Sequence, residues 1–147
     1  MPIESRLKAR NLFKNKNAIA WILLSLAMAV HVFDEAISGF LPFYNNMVFN
    51  LKERLAFSPL PTFEYRFWLG GLITLIIILL SLTVFVYRGG KTIRIFTAIF
   101  GVLMIFNALG HILGSIYLAQ LVPGFWSSPI LLAASIYVVY RGLKYCM

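Results

Sequence analysis

The chain reads as all-α: a polytopic membrane protein with four transmembrane helices in a bundle and a short interfacial helix between the first two. Of its 147 residues, 61% are hydrophobic and 12% charged, with a mean hydropathy of +0.85, whereas a soluble domain carries about 25% charged residues. The apolar residues gather into runs long enough to cross a bilayer, which takes about 20 residues per helix. The cations stand at the ends of those runs and not through them, as they do in membrane helices. A net charge of +8 therefore points to anionic lipid headgroups at the cytoplasmic face and away from nucleic acid. One domain exhausts this length. Cys146, the single cysteine, has no second thiol for an intrachain disulfide.

Residues 1–17 hold Arg6, Lys8, Arg10, Lys14 and Lys16 with Ile3, Leu7 and Phe13 between them, a basic segment suited to an anionic membrane face. A solvated tail is the plainer alternative. The first span is expected over 18–41, where Gly39 and Pro42 favour its end. An external loop follows over 42–62. Within it Val48, Leu51 and Leu55 recur at i, i+3 and i+7 around Lys52, Glu53 and Arg54, which spells an amphipathic helix ending before Ser58-Pro59-Leu60-Pro61. Such a helix either roofs a site below it or merely fills the gap. Pro61, Thr62 and Glu64 signal the start of the second span, 63–87, and Gly89-Gly90 its stop. Thr92 caps the third, 92–121, which Pro123-Gly124 ends; Ser128-Pro129 opens the fourth, 128–145.

Cytoplasmic segments hold the excess of Lys and Arg in membrane proteins, and here ten of the 13 fall on one side of this map. They are the five of the tail, Arg88, Lys91 and Arg94 between spans two and three, and Arg141 and Lys144 at the end. Both termini are therefore expected in the cytoplasm of a multi-pass protein of the cell membrane. A competing expectation is a signal peptide cleaved after Ala27-Met28-Ala29. Apolar character that resumes beyond that point argues against it.

Two polar surfaces interrupt the apolar runs. His31, Asp34 and Glu35 lie on one face of the first span, because i, i+3 and i+4 fall within about 100° on a helix. Asn107, His111 and Ser115 make a similar row on the third, with Gly110 and Gly114 beside them as small residues that let another helix approach. At 1.5 Å per residue, each histidine lies about 15 Å inward from the end of its span, so the two are level. Thr74 and Ser135 are expected at a similar depth.

Ionisable groups within a membrane helix are costly, and two adjacent acids cost more than a packing hydrogen bond requires. Burial penalises the charged form of each group, and pairing offsets the penalty. A His–carboxylate set of this kind has three uses: moving protons, binding a cation, or joining helices. Acid–base work would fall to His31 and Glu35 with His111 as their partner, Asp34 and Asn107 orienting them. A metal such as zinc or non-haem iron would take His31, Glu35 and His111, with Asp34 as an alternative ligand. Nucleotide loops, serine elbows and paired Cys motifs are absent.

His31-x-x-Asp34-Glu35, Asn107-x-x-x-His111 and Pro123-Gly124, in that order, resemble the HXXEE-domain family of small bacterial membrane proteins. Asp34 stands where the family's motif has a glutamate, one methylene shorter. The resemblance implies a helical membrane domain whose histidines and acids are functional, and it implies no particular reaction. A bilayer-buried polar site fits an enzyme acting on a lipid or isoprenoid-like small molecule that arrives sideways through the membrane. The competing classes are a proton- or ion-linked transporter subunit, which with four helices needs an oligomer to enclose a pathway, and a non-catalytic accessory protein.

Overall fold

The structure is a computed structural model that describes residues 3–55 and 59–143. Among the described residues there are six helices and no strand: α1 (Ile3–Ser38), α2 (Phe40–Arg54), α3 (Tyr65–Ser81), α4 (Thr83–Arg88), α5 (Lys91–Tyr117) and α6 (Ser128–Leu143). The side chains of Arg6, Lys8, Arg10 and Lys14, together with Ser58 and the last four residues including Lys144 and Cys146, lie outside the described set. Three helical stretches are long and apolar enough to cross a membrane: Asn15–Ser38, Tyr65–Arg88 and Lys91–Tyr117. The expected fourth span corresponds to α6, which is apolar but has 16 residues, fewer than the roughly 20 of a typical crossing.

Burial shows which helix is central. Half of the Asn15–Ser38 window is buried, against 11% and 22% for the other two stretches, because α1 has α3 and α4 on one side and α6 on the other. Trp21 and Leu24 of α1 meet Leu79, Leu131 and Val138 in the core. The outer faces carry Phe67, Ile77, Phe106 and Ile116, all exposed, as expected where lipid is the solvent. The α3–α4 junction falls at Leu82, and the Trp21 indole donates to the Leu79 carbonyl at 2.7 Å. That bond occupies an acceptor of the last turn of α3, where intrahelical partners run out.

Small residues set the contact between α5 and α6. A Cβ on Gly101 would lie 2.8 Å from Val139 Cγ2 and 3.3 Å from the Ser135 carbonyl oxygen, and one on Gly142 would lie 3.3 Å from Ala98 Cβ. These are the close-approach glycines, whereas Gly110 has nothing within 4 Å of the same construction. The packing role expected of Gly110 and Gly114 thus belongs to Gly101 and Gly142, nearer the start of α5 and the end of α6.

Two helix ends differ from the sequence reading, and both differences shape the site. Gly39 turns left-handed (φ 80, ψ 37), so α1 stops at Ser38 and not at Leu41. Pro42 then sits in the first turn of α2, where its missing N–H leaves no bond unmade. The amphipathic helix expected around Val48 and Leu55 is present as α2, begins earlier, and buries Val48 completely. Tyr44 donates to Pro61 O at 3.1 Å, and Asn45 exchanges bonds of 2.9 and 3.1 Å with the Phe63 backbone, tying α2 to the start of α3.

At its far end α5 stops at Tyr117, four residues before the expected Leu121. Ala119 adopts φ 50, and the Ser115 hydroxyl accepts from the Val122 N–H at 2.9 Å while donating to His111 O at 2.8 Å. The chain is thereby folded back so that Pro123, Gly124 and Ser127 reach the histidines.

Candidate metal centre

His31, Asp34 and Glu35 project from one face of α1 as the helical period requires. Glu35 is buried and lies between the two histidines: its Oε1 is 3.1 Å from His111 Nε2 and 3.5 Å from His31 Nε2. The imidazoles meet edge to face, centroids 4.8 Å apart and planes at 80°. One ligand atom from each of His31, Glu35 and His111 lies within 4.8 Å of the others, with all three residues buried. The levelness of the two histidines along their helices is therefore realised as contact.

Hydrogen bonds at the far side of each ring settle which nitrogens carry protons. His111 Nδ1 lies 2.6 Å from the Pro123 carbonyl oxygen. A carbonyl can only accept, so Nδ1 bears the hydrogen and the Nε2 lone pair of a neutral ring faces Glu35. His31 Nδ1 lies 2.8 Å from Ser127 Oγ. Ser127 Oγ lies 2.7 Å from Asp34 Oδ2, and its one proton goes to that carboxylate, which leaves the oxygen to accept from His31 Nδ1–H. Both rings thus turn their Nε2 atoms inward toward Glu35, and His31 Nε2 has no hydrogen-bond partner among the described residues. Two imidazole nitrogens and a carboxylate oxygen converge on one point, an arrangement suited to a shared proton or to a metal ion.

Asp34 also accepts the Ser127 N–H at 2.9 Å, placing its carboxylate at the amino end of α6, where the helix dipole favours negative charge. It faces Ser127 and not the point where Glu35 and the histidines meet. Asp34 is linked to His31 only through the Ser127 hydroxyl, and the carboxylate that meets both imidazoles is that of Glu35.

Gly124 closes the site. Its φ is +88, and a Cβ there would lie 2.9 Å from the His111 ring and 3.0 Å from Glu35 Cγ. Its N–H donates to Ser38 Oγ at 3.3 Å. Ser127, the Pro123 carbonyl and the fit of Gly124 were not legible as site components. Pro123-Gly124 reads as a helix stop and Ser128-Pro129 as a helix start; α6 does begin at Ser128, while α5 already ends at Tyr117.

Three residues expected in the polar layer stand elsewhere. Thr74 donates to Gly70 O on its own helix at 2.8 Å, and Ser135 to Leu131 O at 2.6 Å, the local bond by which hydroxyls satisfy themselves in apolar surroundings. Asn107 shares a face of α5 with His111 but is exposed. It lines an open cavity of about 270 Å³ between the first turns of α2 and the second half of α5, together with Phe40, Phe43, Met47, Gly110 and His111. No side-chain hydrogen bond joins Asn107 to Glu35 or either histidine among the described residues, so the orienting role expected of it is filled by Ser127 and Pro123. Phe40 packs against His111 with centroids 5.5 Å apart and stacks on Trp68 at 5.9 Å, walling the centre from the loop side.

No curated protein and no solved structure matches the chain. The family model described as a protein of unknown function with HXXEE motif matches residues 21–138, a stretch that contains every residue of the cluster from His31 to Ser127. The chain belongs to the HXXEE family.

Proposed function

We propose that this protein is a small intramembrane metalloenzyme: His31, Glu35 and His111 hold a divalent cation, zinc or non-haem iron, and the substrate is lipid-soluble. The observation that carries this reading is the convergence of two Nε2 atoms and one carboxylate oxygen, each histidine held from behind by an acceptor at Nδ1. Nitrogen and oxygen ligands about 2.0–2.2 Å from a tetrahedral ion are separated by roughly 3.3 Å. The separations of 3.1 and 3.5 Å from Glu35 Oε1 to the two Nε2 atoms bracket that value.

The supporting shell has the form metal sites use, each ring N–H given to a carbonyl or to a carboxylate-backed hydroxyl. Three protein ligands leave a coordination position for water or substrate, and a bound ion would activate that water or polarise a substrate oxygen. Helices long and apolar enough to cross a membrane carry His31, Glu35 and His111, and the excess of cations at one set of helix ends supports both termini lying in the cytoplasm.

Cobalt titration of the full-length protein in lipid nanodiscs tests the centre. Wild type is expected to bind about one ion per chain with the visible absorption of a nitrogen- and oxygen-ligated ion, and His111→Ala and Glu35→Gln to bind at least tenfold more weakly. Equal binding by wild type and both variants overturns the metal reading. Absence of binding by wild type, with one proton shared between Glu35 and an imidazole by nitrogen NMR, favours metal-free acid–base chemistry at the same residues.

A further inference from the structure

The cavity of about 270 Å³ shares His111 with the centre, so a molecule lodged in it touches the ring whose Nε2 faces Glu35. Phe43 and Met47 of α2 and Phe106 and Leu118 of α5 give it apolar walls. Phe106 is 68% exposed and Gly110 is exposed, so the cavity opens on the flank of α5 that faces lipid. Gly110 and Gly114 make its floor. Glycine inside a helix costs about 0.5–1 kcal/mol relative to alanine, and at Gly110 no close neighbour accounts for its presence. What the missing side chain leaves there is room.

The lining also restricts the ligand. It contains no Lys or Arg, and the charged group nearest His111 is the Glu35 carboxylate, 3.1 Å from its Nε2. A phosphate or diphosphate lodged there would lie against apolar walls with no Lys or Arg to offset its desolvation, and Glu35 and His31, which with His111 would hold the ion, are not part of this lining. Asn107 is the one uncharged amide in the lining, and it offers two donors and an acceptor to a hydroxyl or carbonyl.

We infer that this cavity takes the chain of an uncharged single-chain lipid, an alcohol, aldehyde, ketone or ester, with its oxygen held by Asn107 beside His111, and that it excludes phosphorylated lipids. The inference rests on the metalloenzyme reading for its chemistry and narrows the substrate class of that site.

A diazirine-bearing decanol, photolysed with the full-length protein in nanodiscs and mapped by peptide mass spectrometry, tests it. Labelling is expected on 40–47 and 106–118, reduced at least fivefold by excess decanol and less than twofold by decyl phosphate. Gly110→Leu fills the cavity and is expected to cut labelling at least fivefold while cobalt binding stays at the wild-type level. Asn107→Leu, which keeps the branched shape but removes the amide, is expected to weaken competition by decanol at least threefold. Equal competition by decyl phosphate, or labelling unchanged in both variants, overturns the inference even where cobalt binds normally. Loss of cobalt binding in wild type with labelling intact overturns the metal centre and leaves the lipid cavity standing.

Discussion

Near its start, α5 brings Gly101 so close to α6 that a Cβ would lie 2.8 Å from Val139, whereas near its end Gly110 has nothing within 4 Å of the same atom. The first half of the helix packs on α6 through Gly101, and the second half buries Ala108, His111 and Ser115 while Gly110, about two and a half turns from Gly101, stands on the opposite, exposed face that lines the cavity. The divergence arises where α5 and α6 are joined. Between Tyr117 and Ser128 the chain is folded inward by the Ser115 hydroxyl, and Pro123, Gly124 and Ser127 occupy the space against α1 that a longer α5 would have filled. Buried polar residues thereby gain backbone and side-chain partners. The first half needs no such partners because its contact is made by Gly101, Ala98 and Gly142.

The largest effect is expected where the inward fold touches the centre. Gly124→Ala combines a backbone region that costs a side-chain-bearing residue about 1–3 kcal/mol with a Cβ 2.9 Å from the His111 ring and 3.0 Å from Glu35 Cγ. Neither neighbour is a free chain end, since the ring is held by Pro123 and Glu35 lies between two histidines. We expect unfolding in detergent to shift by at least about 2 kcal/mol and cobalt binding to fail. A shift under about half a kcal/mol with cobalt bound would break the distinction between the two halves of α5.

Ser127→Ala acts on the same half more gently. It removes the oxygen that receives the His31 N–H and the hydroxyl that Asp34 accepts, while the Ser127 N–H still reaches Asp34. Supporting residues of this kind change metal affinity about 10–100-fold, and cobalt titration should show a loss in that range with stability lowered by about 1 kcal/mol. In the packing half, Gly101→Ala is expected to cost about 1 kcal/mol with cobalt affinity unchanged. Its Cβ meets a movable Val139 methyl, although the Ser135 carbonyl oxygen at 3.3 Å cannot yield as easily.

Helical period puts His31, Asp34 and Glu35 on one face, and the expected level of the two rings holds because α1 and α5 both end a few residues short, at Ser38 and Tyr117, of the Leu41 and Leu121 from which it is counted. The same reasoning assigned Thr74 and Ser135 to that layer. Depth does not specify azimuth, and a serine or threonine can satisfy itself on its own helix at any azimuth. Stop signals located the ends of the helices to within a few residues. They could not reveal that the segment after α5 folds inward, because a Ser–backbone bond seven residues long, from Ser115 to Val122, leaves no periodic trace. The supporting shell was illegible for that reason. Pro123 contributes a carbonyl, which every residue has, and Gly124 contributes the lack of a side chain.

The smallest expected effect bears on the glycine that has no close neighbour. If Gly110 served packing, an added methyl would strain the α5 contact and lower stability as Gly101→Ala does. Where a Cβ meets nothing within 4 Å, alanine instead gains the helix propensity that glycine lacks, up to about 1 kcal/mol. Gly110→Ala should therefore leave the unfolding transition unchanged or raise it slightly, with cobalt affinity at the wild-type value. Only the room beside His111 should shrink, by about one methyl. Destabilisation comparable to that of Gly101→Ala would show that the Gly110 face of α5 is a packing face as well and leaves no room beside His111.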